Sequence, residues 1–433
     1  MALNKKYYFR AFWLLVFCAL GLTSPMALAS DVNTAGQLSA VYNPSTKVTS
    51  IYYGDNEGHL NEIQVSSSSV EIAHYDLTEL DSLPTITSPT VSAVYSSISK
   101  SNLVFYLSGT STENVVMISE INGPSNITVS YPSGNNFIVN GSAEPANQWQ
   151  SVWAAVDNSG NVDYGLQIIN GQDDPDTYGP RGYVFTGGAV GNFANSNVNI
   201  YGQIGRDPEH LQQQVQVFYD PNWAVFIAAF DPEGEGHIHT VAYNPATDYY
   251  YSEDLMNTTG SVHMDDTANG SGGSVAVCTP SGFSFATNGN DAELYYYGGD
   301  GNMHEIASTS PGSWGSLDIT KSANSPQIQQ GCGPISSVYN SFTGETDVAY
   351  TSPNDSTPTG YQLNVIAGAV LGSWSFPYTV TGAGSPINST PMSSITDSNG
   401  NADTYYIGTD SSGYEHLYEL IGNNNFNVVM IGN

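Results

Sequence analysis

Residues of the types that bind sugars lie close together in one stretch of the chain, Tyr296–Gly315. Tyr297 and Trp314 offer flat aromatic rings at the two ends of this stretch. His304 and Glu305 lie between them and offer an imidazole and a carboxylate. Carbohydrate recognition needs a flat aromatic surface and a few oriented polar groups, so these four residues are the first candidate binding site. The alternative is structural, with Glu305 capping a hairpin and Trp314 packed in the core.

A second candidate is a loop with oxygen ligands at alternate positions, a spacing that calcium loops use. The ligands of this loop would be Asp397, Asn399, Asn401 and Asp403. The segment Asp157–Asp163 has the same spacing. Ser or Asn followed by Gly is also an ordinary hairpin turn, so the alternative is a turn that holds no ion. The sequence therefore predicts no cofactor, with calcium at this loop as the alternative.

A third candidate is the pair His237 and His239. Side chains in a strand alternate between its two faces, so these two imidazoles would lie on the same face. Zinc would need further ligands, for which His263 and Asp265 are the candidates.

The elements that carry these residues are short strands. Runs rich in Tyr, Val, Ile and Phe alternate with Gly, Asn, Asp, Ser and Pro, a pattern typical of hairpins. Related segments recur at Ser39–Asn43, Ser92–Ser96 and Ser336–Asn340. Such repeats predict an all-β fold, a β-propeller of seven blades with four antiparallel strands each. Six blades with an insertion is the alternative, and the least regular region, Gly171–Gln214, would be that insertion.

The stretch Tyr296–Gly315 resembles the fucose-binding β-propeller lectins, both the six-bladed fungal family and its seven-bladed bacterial relatives. In that family an Arg and a Glu grip the sugar hydroxyls between blades, and an aromatic ring stacks on the sugar. The resemblance implies that the Glu position is filled by Glu62, Glu120, Glu305 and Glu419, and the aromatic position by Trp314 and Trp374. The Arg position holds no Arg here and reads Asn61, Ser119, His239, His304 and Tyr418.

Charge excludes several classes of partner. The chain has 8 Lys+Arg against 40 Asp+Glu and a formal net charge of −32. Nucleic acids and anionic membrane surfaces need cations that this chain lacks. Such a chain loses its charge as carboxylates protonate, so an acidic habitat is one interpretation.

The N-terminus indicates export. Lys5, Lys6 and Arg10 precede an apolar run that ends near Leu22, and Ala27–Ala29 is a small-residue cleavage site. Residues 1–29 are therefore predicted to be a signal peptide and residues 30–433 a single propeller domain without membrane insertion. Cys278 and Cys332 form an even pair in an oxidising compartment, which favours a disulfide over two buried thiols.

Together these observations predict a secreted or periplasmic, lectin-like propeller that binds glycans without catalysis, as a monomer or weak oligomer. Two alternatives remain. One is an extracellular structural or adhesion protein that binds another protein, and the other is a secreted propeller glycoside hydrolase with paired carboxylates.

Overall fold

A computed structural model describes the part of the chain given below. The predicted signal peptide, residues 1–29, and Cys278 and Cys332 lie outside the described residues, so the cleavage and the disulfide remain predictions. The described residues are 37–87, 90–108, 114–130, 150–168, 181–187, 193–199, 216–230, 237–244, 249–264, 283–310, 312–324, 334–354, 356–357, 360–375, 377–380, 384–386, 391–422 and 426–431.

The strands in this part of the chain form a β-propeller, as the sequence predicts. They group into seven antiparallel sheets, each a blade whose strands follow one another along the chain. Blade 7 carries one extra short strand, β25. The strands of blades 1 to 4 are β1 (Ser39–Asn43), β2 (Val48–Gly54), β3 (Leu60–Ser66), β4 (Glu71–Asp76), β5 (Val91–Ser96), β6 (Ser101–Ser108), β7 (Asn114–Glu120), β8 (Ile127–Ser130), β9 (Gln150–Val156), β10 (Val162–Ile168), β11 (Arg181–Gly187), β12 (Phe193–Asn199), β13 (Gln216–Asp220), β14 (Val225–Phe230), β15 (His239–Asn244) and β16 (Tyr249–Asp254).

Blades 5 to 7 follow the same plan. Their strands are β17 (Phe283–Thr287), β18 (Ala292–Tyr297), β19 (Met303–Ser310), β20 (Ser313–Asp318), β21 (Ile335–Asn340), β22 (Glu345–Pro353), β23 (Tyr361–Gly368), β24 (Tyr378–Val380), β25 (Ser385–Pro386), β26 (Met392–Thr396), β27 (Ala402–Thr409), β28 (Glu415–Gly422) and β29 (Asn427–Ile431). The region Gly171–Gln214 contains β11 and β12, so it supplies the two outer strands of blade 3.

The core lies between blades. Among the described residues, six apolar clusters each combine side chains from two adjacent blades. Every blade therefore has a leading face, which packs on the next blade along the chain, and a trailing face, which packs on the preceding one. Because both faces are covered, the middle strands are buried along nearly their whole length, as in β6, β18 and β27.

The ring closes between the last blade and the first. Each first strand contacts the first strand of the next blade, and β26 contacts β1. Serine hydroxyls at matching positions accept a backbone N–H of the following blade at 2.8–2.9 Å. These bonds join Ala40 to Ser393, Ala93 to Ser39, Ala154 to Ser92, and Ser337 to Ser284. No strand is shared between chain ends in the described residues, so apolar packing and the hydrogen bond from Ala40 to Ser393 close the ring.

Short helices mark one edge of the ring. They are α1 (Leu77–Asp81), α2 (Leu255–Thr259) and α3 (Ile319–Ser322), and each follows the fourth strand of its blade. We call this the upper edge: there the fourth strand ends and the second strand turns into the third. The lower edge is the opposite one. No helix in the described residues is long and apolar enough to span a membrane.

Candidate functional site

Aspartates organise the hairpins of both edges. In four turns of the form Asp-x-x-Gly-x, one carboxylate oxygen accepts two backbone N–H groups at 2.7–2.9 Å. The glycine has a φ of +84° to +88°, which a side chain would disfavour. The aspartates are Asp55, Asp157, Asp397 and Asp410. This turn is therefore a general building unit of the fold.

The predicted calcium loop is one of these turns. Besides the two N–H groups, Asp397 accepts the side-chain amides of Asn399 at 3.0 Å and Asn401 at 3.3 Å. The two amides are thus turned as donors toward the carboxylate, and Asp403 is buried in β27 with 5% exposure. The loop has the geometry of the hairpin alternative, in which the carboxylate is satisfied by its own turn.

The four predicted residues of the fifth unit are divided between the two faces of blade 5. Tyr297 and Glu305 belong to the leading face, beside blade 6. His304 stacks on Tyr296, and both ring systems belong with Trp314 to the trailing face, beside blade 4.

On that trailing face His304 and Trp314 are also far apart. Trp314 pairs with Ser308, four residues along β19 from His304, which is about 13 Å. His304 therefore lies at the upper edge and Trp314 toward the lower edge. The structure does not unite the four residues in one sugar-sized site.

Glu305 is enclosed at the interface of blades 5 and 6. Its carboxylate accepts the N–H of Leu371 at 3.0 and 3.1 Å, and the residue has 0% exposure. Burial, aided by the nearby charge of Glu293, raises the pKa of Glu305 to about 8. Trp374 packs edge-on against Tyr295 in the same interface and is 6% exposed. Both predicted residues are therefore part of the interface core.

Two other predicted glutamates occupy the same register position as Glu305. Glu62 pairs with Tyr52 and Glu419 with Tyr405, as Glu305 pairs with Tyr295. Both are buried, at 0% and 2% exposure. Glu62 accepts the amide of Gln64 at 2.9 Å, and Glu419 accepts the hydroxyl of Tyr405 at 2.7 Å. Burial raises the pKa of both carboxyls.

Glu120 does not occupy this position, which corrects the sequence-based assignment. In blade 2 the register partner of Phe105 is Met117, and Glu120 lies three residues further along β7. Its side chain faces blade 1, where Tyr52 donates its hydroxyl to Oε2 at 2.5 Å. Glu120 is therefore a contact between blades on the opposite face from the other glutamates.

Asn61 directly precedes Glu62, and Tyr418 directly precedes Glu419. Asn61 is 5% exposed and donates its amide to Asp55 at 2.9 Å. Tyr418 is 4% exposed and stacks on Tyr406, with ring centroids 5.8 Å apart. Both side chains are thus buried structural residues near the upper edge.

Imidazole and carboxylate groups collect at the upper edge in several blades. His59 lies 2.7 Å from Asp76 in blade 1, and His304 lies 3.0 Å from Asp300 in blade 5. Asp76 and Asp318 also cap α1 and α3, and Asn302 donates to both Asp300 and Asp318. In blade 4 the predicted pair His237 and His239 meets Asp254. Asp265 lies outside the described residues.

Blade 7 adds an exposed aromatic ring to this arrangement, which the sequence analysis missed. Tyr414 is 71% exposed, and its N–H donates to Asp410 at 2.9 Å. Nε2 of His416 lies 3.5 Å from the other carboxylate oxygen of Asp410. An aromatic residue directly after the turn glycine was the signal in the sequence. Tyr414, Asp410 and His416 thus bring an exposed aromatic ring, an acceptor and an imidazole to one hairpin of the upper edge.

The molecule is thus a β-propeller whose upper edge carries repeated polar clusters, and a solved lectin structure shares its fold. The BP39L lectin from Burkholderia pseudomallei has a TM-score of 0.60 and 12% identity, covering 92% of this chain and 99% of that chain. The Aleuria aurantia lectin, described as a six-bladed β-propeller with a novel fucose recognition mode, has a TM-score of 0.47 and 10% identity, covering 93% and 97%. No protein-family model and no curated protein matches the sequence.

The resemblance to β-propeller lectins is therefore confirmed for the fold.

Proposed function

We propose that the protein is a secreted or periplasmic lectin that binds neutral carbohydrate at the upper edge of blade 7. The observation that carries this proposal is Tyr414, an aromatic ring 71% exposed that is hydrogen-bonded through its backbone to Asp410. A solvated tyrosine ring next to an oriented carboxylate is what a sugar needs, because one face of a pyranose is apolar and its rim is hydroxylated.

The electrostatics of Asp410 suit recognition of hydroxyl groups. Hydrogen bonds from the N–H groups of Tyr414 and Ser412, together with His416, outweigh desolvation and hold the pKa of Asp410 below its ordinary value. The carboxylate is therefore ionised and accepts hydrogen bonds from sugar hydroxyls.

The charge of the chain selects the class of sugar. With a formal net charge of −32 and 8 Lys+Arg, the protein repels sialylated and sulfated glycans. Neutral hexoses and deoxyhexoses are the expected ligands. The clusters around Asp76 in blade 1 and Asp300 in blade 5 are candidates for further weak sites, and several weak sites would act together on a dense glycan surface.

A glycan array with residues 30–433 tests the proposal, using neutral and anionic sugars in parallel. Tyr414→Ala should weaken binding of the selected sugar about 10- to 100-fold through loss of stacking area. Phe342→Ala is the matched control, because Phe342 is a 57% exposed aromatic in a lower-edge turn of blade 6. Equal loss in both variants, or binding that survives Tyr414→Ala, contradicts the proposed site. Silence of the whole array would favour the adhesion alternative, tested by pull-down of an extracellular protein partner.

A further inference from the structure

Three side chains at the upper edge of blade 4 converge on one point. Nδ1 of His237 lies 2.9 Å from Oδ2 of Asp254, and Nε2 of His239 lies 3.7 Å from the same oxygen. The three ligand atoms all lie within 4.8 Å of one another. Their side chains are 17%, 6% and 17% exposed, so the cluster is shielded but open to solvent on one side.

The fold holds these groups in place. His239 begins β15 and pairs directly with Asp254 at the end of β16. Asp254 caps α2, and its Oδ1 accepts the N–H of Asn257 at 3.0 Å. Its Oδ2 lies beside the imidazoles and also accepts the side-chain amide of Asn257, a donor that a metal ion at this oxygen would displace.

A third imidazole lies against this cluster. The ring centroid of His263 is 3.9 Å from that of His237, at an interplanar angle of 46°. Blade 5 anchors the loop that carries His263. The backbone carbonyl of His263 accepts the N–H of Gly299, a blade 5 residue, at 2.9 Å. The hydroxyl of Tyr296 fixes the preceding carbonyl, that of Val262, also at 2.9 Å. The loop thus holds His263 against the ring of His237.

The corresponding clusters in other blades have a different donor set. Blade 1 offers His59 with Asp76 and Glu79, so it contains one imidazole. Blade 5 offers His304 with Asp300 and Asp318, so it also contains one imidazole; there the amide of Asn302 donates to both carboxylates, as the amide of Asn257 donates to Asp254 in blade 4. Among the groups found in the described residues, the blade 4 cluster alone combines two imidazoles with one carboxylate.

We infer that His237, His239 and Asp254 bind one transition-metal ion, with Zn²⁺ the expected occupant and His263 or water completing the coordination. In a tetrahedral zinc site with bonds of 2.0–2.1 Å, neighbouring ligand atoms lie about 3.3 Å apart, and the two observed separations bracket this value. Nitrogen-rich donor sets select zinc, cobalt, nickel or copper over calcium and magnesium, which prefer oxygen ligands.

Cobalt supplies the test, because Co²⁺ replaces Zn²⁺ and shows strong visible absorption in a tetrahedral site. Metal-free protein, residues 30–433, is titrated with Co²⁺ and then with Zn²⁺, and calorimetry gives the zinc stoichiometry. We expect visible bands that saturate at about one Co²⁺ per chain and disappear when Zn²⁺ displaces it.

The double variant His237→Asn/His239→Asn should lose these bands and bind Zn²⁺ at least about 100-fold more weakly. His74→Asn is the control, because it removes an imidazole that stacks on Tyr53 in blade 1, outside the clusters. Circular dichroism checks the fold, and if the double variant is unfolded, His237→Asn alone decides the question. Absence of tetrahedral bands in the wild-type protein, or bands that persist without His237, overturns the inference. Both results are independent of sugar binding at Tyr414.

Discussion

Tyr52 and Glu120 form a buried hydrogen bond that joins blade 1 to blade 2, with the hydroxyl 2.5 Å from Oε2. Asn102 donates to the same hydroxyl at 3.0 Å, so the contact belongs to a small polar network inside the interface. Burial, with the charge of Glu62 as the next cause, raises the pKa of Glu120 to about 8. Burial therefore favours the neutral form of the Glu120 carboxyl inside this interface.

Replacing Tyr52 by Phe should destabilise the fold by about 1–3 kcal/mol, because Glu120 and Asn102 would keep their burial and lose a partner. Urea unfolding followed by fluorescence measures the change. Tyr414→Phe, which removes a hydroxyl from an exposed ring, should leave the unfolding midpoint in place. A loss of similar size in both variants would show that the buried bond contributes nothing of its own.

The protein should be more stable at mildly acidic pH than at pH 8. Burial raises the pKa of Glu120, Glu305 and Asp403 to about 8 and that of Asp347 to about 7. The folded state therefore holds these protons more tightly than the unfolded chain, where the ordinary values are 4.5 for Glu and 3.8 for Asp. This stabilisation is complete below the ordinary values and is lost as pH rises toward 8.

We expect the melting temperature to fall by about 5–10 °C between pH 5 and pH 8 at constant ionic strength. Repulsion among the many surface carboxylates acts in the same direction, so Glu305→Gln is the control that separates the two causes. Its amide stays neutral, and the fall should be shallower than in the wild-type protein. An identical slope would assign the effect to surface charge.

Gly368→Ala should destabilise blade 6 by about 1–3 kcal/mol. A Cβ at this position would overlap the indole of Trp374, which forms a bridge with the same glycine. Trp374 is 6% exposed and packed against Tyr295, so it has little room to move. Thermal unfolding measures the loss, and Ala369→Ser, at the exposed next residue, is the comparison. Wild-type stability of Gly368→Ala would mean that the indole has another place to pack.

Calcium should leave the stability unchanged. Both carboxylate oxygens of Asp397 already accept hydrogen bonds from Asn399 and Asn401. An ion would have to displace these donors and turn the amides around, with little to gain in an exposed turn. Adding millimolar Ca²⁺ to metal-free protein should shift the melting temperature by less than about 1 °C. A rise of several degrees that Asp397→Asn abolishes would restore the calcium loop.

The propeller could be predicted from the sequence because each blade repeats the same signals. Short Tyr- and Val-rich strands and Gly-containing turns fix strand order and hairpins locally. The face of the blade on which each side chain lies could not be predicted. A register shift between Ser308 and Ser310 moves Trp314 to the face of His304 and away from Glu305. A bulge of one residue exchanges the two faces of a strand, and nothing in the sequence marks it.

The same limit explains Glu120 and Tyr414. Glu120 is a plausible match until the pairing of Phe105 with Met117 fixes the register of β7. Tyr414 belongs to a turn, where strand periodicity gives no information on exposure. Sequence reasoning therefore located the repeats and the residue types, and the structure decided which side chains share a surface.

The way the ring closes has a consequence for how the gene could be rearranged. The hydrogen bond from Ala40 to Ser393 joins blade 7 to blade 1. Equivalent bonds join blades 1 and 2, blades 2 and 3, and blades 5 and 6. Leu38 and Ile431 meet in one cluster at that closing interface. The junction between the first and last blades thus has the same type of hydrogen bond as these other junctions. Circularly permuted chains that join the old ends and start at another blade would rebuild the same ring, with every blade between its original neighbours.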